Sequence, residues 1–455
     1  MFRLFTGINL RSVKVWNIKV WTGIAASFFS LVALAGPPDA GEQGAVPLTL
    51  EHAVEIALEG NPGLARITAR ARALAEVPSQ VGTLPDPTLS LNALNVPVDT
   101  FSLSQEAMTQ QQIGIGLTLP FPGKLDLREQ AADNEAQAAG QDVAEQRLML
   151  ARNVRSAWWN LFYLGRALDI VSRNQALLRQ LNTIAETRYR TGQGMQSDVL
   201  LAQVELSKLL DRELALNTAR HHQTVRLNAL LGRAVATPVN LPREAATELP
   251  PIEDAATFLK LAQANRPLLA SRRKLVEAAE ARRGLAEKDY YPDFKLGMAY
   301  GFRNGNNLDG SSRADFATVT LGINLPLFAG SRQDKAVAQR HAERQQQEYE
   351  LQDSQLQVGA QIEQALAEYH SAHNQTALFK TGLIPQAQQS VSAMRAAYQV
   401  NKVDFLNLVR AQITLYNYET QYWKALSGGW QALANLQAAV GVPLPATKEN
   451  MHETQ

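Results

Sequence analysis

His221 and His222 are the first residues whose type invites chemistry, because imidazole is the commonest metal ligand. Neighbouring residues on a helix point to different sides, so one ion cannot use both. The pair is expected on a solvated face, and so are Met451 and His452 in a polar tail. The chain has no cysteine, which removes disulfides, thiolate nucleophiles and thiolate metal sites together. It carries no Gly-rich phosphate loop, no Gly-x-Ser-x-Gly elbow and no His-Glu-x-x-His pair. The carboxylates lie scattered among basic partners, the pattern of solvated helix faces. No catalytic, cofactor or metal site is expected, and no enzyme. The net charge of +1 over 455 residues gives no basic excess for a nucleic-acid partner.

The N-terminus has the layout of a signal peptide over residues 1–35. Arg3, Arg11, Lys14 and Lys19 form a basic region, an apolar stretch covers 21–35, and Ala33-Leu34-Ala35 is a small-x-small cleavage site. The apolar stretch is short of the ~20 residues a membrane helix needs. No later stretch is long and apolar enough to span as a helix. The mature chain is therefore expected to be soluble beyond the inner membrane or inserted as a β-barrel, the other structure that satisfies its backbone in lipid. Without cysteine it is expected not to be lipidated.

The elements repeat. Asn61-Pro62-Gly63-Leu64 returns as Asn265-Arg266-Pro267-Leu268, and Leu84-Pro85-Asp86 as Tyr291-Pro292-Asp293. Gly116-Leu117-Thr118-Leu119-Pro120 returns as Gly322-Ile323-Asn324-Leu325-Pro326, each soon followed by a glycine and a basic residue. Residues 189–203 match 398–412 without a gap. Four landmarks in one order define a duplication: a first repeat over 36–240, a linker over 241–251 within a proline-rich segment (235–251), a second repeat over 252–442, and a polar tail over 443–455.

Each repeat runs through the same changes of period. A helical stretch over 50–77, broken at Asn61-Pro62-Gly63, leads to alternation at Leu89, Leu91 and Ala93. A polar loop follows over 97–111, then alternation at Ile113, Ile115, Leu117 and Leu119. This predicts a β-hairpin of bilayer-crossing length. The second repeat alternates at Phe294, Leu296, Met298, Tyr300 and Phe302. It then has a loop over 303–315, and alternates again from Ala317 to Leu325. A long helix is predicted over 124–190, roughly 100 Å at 1.5 Å per residue, then a break at 191–194 and a second helix over 197–231. Their counterparts are 331–400, which Gly382 and Pro385 should kink or interrupt, and 404–440. Trp158, Trp159, Phe162 and Tyr163 are expected in the core between helices, and Tyr290, Tyr291 and Phe294 in an interfacial girdle. Four strands cannot close a barrel, so the chain must form a ring. Two copies would give eight strands and three would give twelve.

This layout resembles the TolC family of outer-membrane factors over nearly the whole mature chain. The most specific pieces are Leu119-Pro120-Phe121-Pro122-Gly123-Lys124, with its echo Leu325-Pro326-Leu327-Phe328-Ala329-Gly330, and the two matching tip stretches. The resemblance implies a mainly α fold with a β-barrel part. A homotrimer would share a twelve-stranded barrel in outer-membrane lipid and extend a helical tunnel into the periplasm. Its partners would be a periplasmic adaptor and an inner-membrane pump of the RND type. Pro120, Pro122, Gly123, Pro326 and Gly330 would make the barrel-to-helix turns. Adaptor docking would fall on Thr191, Gly192, Gln193, Gly194, Val400, Asn401, Val403 and Asp404. The family's closing network of tyrosine, aspartate and arginine maps onto Tyr398 and Asp198. Its arginine position falls on Val403, so Lys402 beside it is the expected cation. The entrance ring of aspartates maps onto Asn407 and Arg410, neither acidic, which argues against a cation-blocking ring. The run Pro120-Phe121-Pro122-Gly123-Lys124 is similar to the heavy-metal, CzcC/CusC-like branch. Many members of that branch are lipoproteins, and this chain lacks their cysteine. Multidrug or type I secretion ducts are the alternative within the family. A periplasmic coiled-coil scaffold or adaptor is the alternative outside it.

Overall fold

A computed structural model describes residues 47–400 and 402–443. The signal-peptide segment, Asn401 and the tail from residue 444, with Met451 and His452, lie outside the described residues.

The first repeat opens with helices α1 (Leu50–Gly60) and α2 (Pro62–Ala75). Asn61 makes the break between them. Its Oδ1 accepts the Leu64 N–H at 3.0 Å, capping α2, while Pro62 takes the first helical position where no N–H is needed. A short α3 (Val77–Gly82) extends the helical region beyond the expected end at 77. Pro78 is tolerated there because it lies in the first turn.

Strands β1 (Thr88–Leu94), β2 (Gln110–Leu119), β3 (Phe294–Phe302) and β4 (Phe316–Ile323) form one antiparallel sheet in chain order. The two hairpins are thus joined through β2 and β3. Leu89, Ile115, Met298 and Val319 lie opposite one another in one cross-strand row; Leu91, Ile113, Tyr300 and Ala317 form another. Ser90, Gly114, Ala299 and Thr318 make a row of the opposite face, as do Thr88, Gly116, Gly297 and Thr320. One face is apolar and the other small and polar, the alternation of a transmembrane barrel. The apolar face is bare, with Leu91 and Val319 each 75% exposed. β4 stops at Ile323 rather than Leu325. Leu325 precedes Pro326, which biases its backbone and cannot donate to a ladder.

Helix α4 (Lys124–Arg190) is unbroken over 67 residues, and α5 (Gln196–Leu230) returns along it. In the second repeat α6 (Ala255–Asn265) and α7 (Pro267–Lys288) precede β3. After β4 come α8 (Gln333–Leu378), a π-helical turn (Phe379–Leu383), α9 (Ile384–Gln399) and α10 (Phe405–Val440). The kink expected at Gly382 and Pro385 takes the form of this π turn. The wider turn accommodates proline without ending the helix, and Pro385 then sits in the first turn of α9.

α4 packs between α2–α3 and α7, and α7 packs between α4 and α8. The helices therefore follow the order of the strands they continue. Trp158, Trp159 and Phe162 are buried in a cluster with α1 and α5, as expected for core. Trp430 of α10 stacks on Trp159 at 5.1 Å, and Trp158 Nε1 donates to the Leu48 carbonyl. No described helix is long and apolar enough to cross a membrane.

Candidate functional site

Two regions could carry function: the junction between sheet and helices, and the far tip. At the junction Gly123 caps α4 with φ +86°, a left-handed conformation that favours glycine, and Pro120 and Pro122 flank Phe121 in the turn. The ring of Phe121 stacks on Tyr291 at 4.5 Å. Its N–H donates to Asp293 Oδ1 at 2.8 Å. Lys124, only 2% exposed, donates to Asp293 at 2.9 Å and to the Tyr291 carbonyl at 3.2 Å, with Asp289 at 3.1 Å. Burial alone would raise the Asp293 carboxyl. The Phe121 N–H and the Lys124 ammonium outweigh it and hold the group below the usual carboxylate range. A start of helix in repeat one is thus bolted to the start of β3 in repeat two. In the second repeat Pro326 and Gly330 also lie in the turn, but the cap of α8 is Arg332, not Gly330. Tyr290 and Tyr291 are exposed at this end of the sheet, and Phe294 is half-buried.

At the tip Thr191 ends α4. Gly192 adopts φ +72° and the Gln193 N–H donates to the Arg188 carbonyl at 2.8 Å. Gly194 lies against Arg188, where an added Cβ would come within 2.9 Å of the Arg188 Cβ. In the second tip Val400 is exposed, Val403 is half-buried and Asp404 stands at the cap of α10. Tyr398 is buried against Phe405, with Leu178, Leu181, Ala185 and Ala202 in the same cluster.

The cation of this tip differs from the one expected. Lys402 is exposed, and among the described residues only its backbone N–H is bonded, to the Ala397 carbonyl at 2.9 Å. Arg188 instead lies over the Tyr398 ring at 4.3 Å and donates to the Gln399 carbonyl at 3.2 Å. Mapping by sequence position missed it because it comes from the other hairpin, one residue before Tyr189. Burial pushes the Asp198 carboxyl above its ordinary range, and the negative Asp404 adds to the rise; the Met195 backbone and Arg188 oppose it. Burial likewise raises Tyr398, helped by Asp198 and opposed by Arg188. The tip so joins Tyr398, Asp198, Asp404 and Arg188 electrostatically. Asn407 and Arg410 are exposed three residues apart on α10, flanking buried Leu408 and Val409.

His221 and His222 are exposed, with ring centroids 6.5 Å apart. Among the described residues no group of three or more His, Cys, Asp or Glu is placed to hold a metal.

A four-stranded sheet with a bare apolar face and two open edges, continued by helices in the same order, defines one segment of a membrane channel with a helical duct. The outer membrane efflux protein model matches residues 53–233 and 258–442, one match per repeat. The chain belongs to the outer membrane efflux protein family, the outer-membrane channels of efflux systems. Channels of this family are trimers that work with adaptors and inner-membrane pumps. The chain is similar to the cobalt-zinc-cadmium resistance protein CzcC of Cupriavidus metallidurans. The two are 23% identical over 431 residues, covering 92% of this chain and 98% of CzcC. It is also similar to protein CyaE of Bordetella pertussis, 25% identical over 80% of this chain and 81% of CyaE. Among solved structures, VceC of Vibrio cholerae matches with a TM-score of 0.73 at 21% identity, covering 86% of this chain and 96% of VceC. CusC matches with a TM-score of 0.71 at 17% identity, covering 88% and 93%.

Proposed function

We propose that three copies of this chain form the passive exit duct of a tripartite efflux system that expels heavy-metal cations. The carrying observation is the sheet. Its apolar rows are exposed and both outer edges are unpaired, and only closure with other copies satisfies those edges in lipid. Twelve strands come from three such sheets. The α4–α5 and α9–α10 hairpins reach away from the sheet, into the periplasm. Their tips at Thr191, Gly192, Gln193, Gly194, Val400, Asn401, Val403 and Asp404 dock a periplasmic adaptor. An RND-type inner-membrane pump supplies the energy. Tyr398, Asp198 and Arg188 hold the tip shut. Similarity to CzcC along both repeats supports metal cargo. Deleting the gene should sensitise cells to cobalt, zinc or cadmium, and the wild-type chain should restore resistance. Unchanged metal tolerance with altered drug tolerance or protein secretion would replace the cargo and leave the duct.

A further inference from the structure

The junction motif occurs once complete and once as two separated halves. In the complete copy, the turn after β2 supplies Phe121 and Lys124, and the segment before the adjacent strand β3 supplies Tyr291 and Asp293. The duplication provides both halves again. Asp86, in Leu84-Pro85-Asp86 before β1, is the counterpart of Asp293 in Tyr291-Pro292-Asp293. It is exposed, and among the described residues no side-chain hydrogen bond or ion pair involves it. At the opposite edge of the sheet the turn after β4 carries Arg332, also exposed and also without a side-chain partner among the described residues. Leu327 and Phe328, ahead of it, are 77% and 76% exposed. Gln333 follows at the first position of α8, where α4 has Lys124. It is buried, and its Oε1 finds no partner among the described residues.

Register brings the halves together. Leu119 pairs with Phe294, so Asp293 reaches the turn beginning at Pro120. Transferred to β4 and the β1 of another copy, the same register sets Leu325 opposite Pro87, and Asp86 beside the turn beginning at Pro326. One half is anionic and the other cationic, on edges that each lack a strand.

Resting on the trimeric duct proposed above, we infer that Asp86 of one protomer pairs with Arg332 of the next, with Leu84 packed on Leu327 and Phe328. This repeats between protomers the bolt that Lys124 and Asp293 make within one. The ring would carry six such bolts, three internal and three at the seams, at the level where barrel becomes tunnel. The seam version is the exposed one, so it governs assembly more than folding.

The absence of cysteine makes the test direct. Asp86→Cys/Arg332→Cys is expressed as the full chain, treated with a short bismaleimide that spans an Asp–Arg separation, which a disulfide cannot, and run on a denaturing gel. Covalent dimers and closed trimers are expected, and monomers from either single variant. In parallel, Asp86→Arg should lower the yield of native trimer about five-fold, and Asp86→Arg/Arg332→Asp should restore it. A native trimer that gives no crosslink beyond the single variants, or a reversal that fails to restore assembly, overturns the seam pairing alone. A cysteine-free parent that is monomeric in mild detergent overturns the ring, and the pairing with it.

Discussion

The guanidinium of Arg188 lies 4.3 Å from the centre of the Tyr398 ring, and the two residues come from different hairpins. Arg188 is two residues from the end of α4, and Tyr398 is next to last in α9. The contact therefore ties the first tip to the second within one protomer. Tyr398 is also packed on Phe405 at 5.5 Å, so the ring is held in place as a platform for the cation.

Arg188→Ala removes a cation–π contact of roughly 1 kcal/mol per protomer and the bond to the Gln399 carbonyl. The tip hairpins should part more readily, seen as higher single-channel conductance in planar bilayers. Lys402→Ala should leave conductance near wild type, because its exposed side chain makes no hydrogen bond or ion pair among the described residues. The reverse ranking would move the latch to Lys402.

Asp198 should make the tip sensitive to pH. Its carboxyl is held above the usual range by burial, with Asp404 adding to the rise. A carboxyl with a raised folded-state pKa binds its proton more tightly when folded. That stabilisation is complete below the unfolded value, about 4, and is lost as pH rises through the folded value. Opening that hydrates Asp198 gives up the same stabilisation, so the closed tip should be firmest near the acid end and loosen as pH rises. Asp198→Asn, uncharged at every pH, should flatten the dependence. Conductance measured from about pH 4 upward checks it, and an unchanged slope in the variant would reject the role.

The duplication, the hairpins and the length of α4 were all legible because each is written locally, in period and in turn residues. The break expected at Asn61-Pro62-Gly63 falls between α1 and α2, and the predicted span of α4 matches the observed one. The partners of those elements were not legible. Lys124 looked like one more basic residue after a turn, yet it is buried against Asp289 and Asp293 from the other repeat, over 160 residues away. Arg188 was hidden for the same reason. Chain order aligns a residue with its counterpart in a repeat, but contact across repeats depends on the order of helices in the layer.

Lys124→Met keeps the aliphatic stem and removes the ammonium. It leaves Asp293 with the Phe121 N–H as its remaining donor, and the junction should lose about 3 kcal/mol. Loss should appear as a lower melting temperature of the purified protein and as poorer insertion, while the α4–α5 tip stays intact. Thermal unfolding matching wild type would show that packing of Phe121 on Tyr291 suffices.

The buried pair Arg266–Glu145 offers the sharpest energetic test. Arg266 is 3% exposed and donates to Glu145 twice, at 2.9 and 2.7 Å, and again to the Ala438 carbonyl. Glu145 belongs to α4, Arg266 caps α7 and Ala438 lies in the last turn of α10, so one guanidinium joins three helices. Removing one partner strands the other charge in the interior. Arg266→Met and Glu145→Leu should each cost roughly 3–5 kcal/mol. The double variant strands no carboxylate and no guanidinium, so it should be milder than the sum of the two and close to one of them. The Ala438 carbonyl still loses its donor in the double variant, which sets a floor of about 1 kcal/mol below wild type. Denaturant unfolding of the four proteins gives the coupling directly. Additive losses would mean that each residue acts through its own packing and not through the pair.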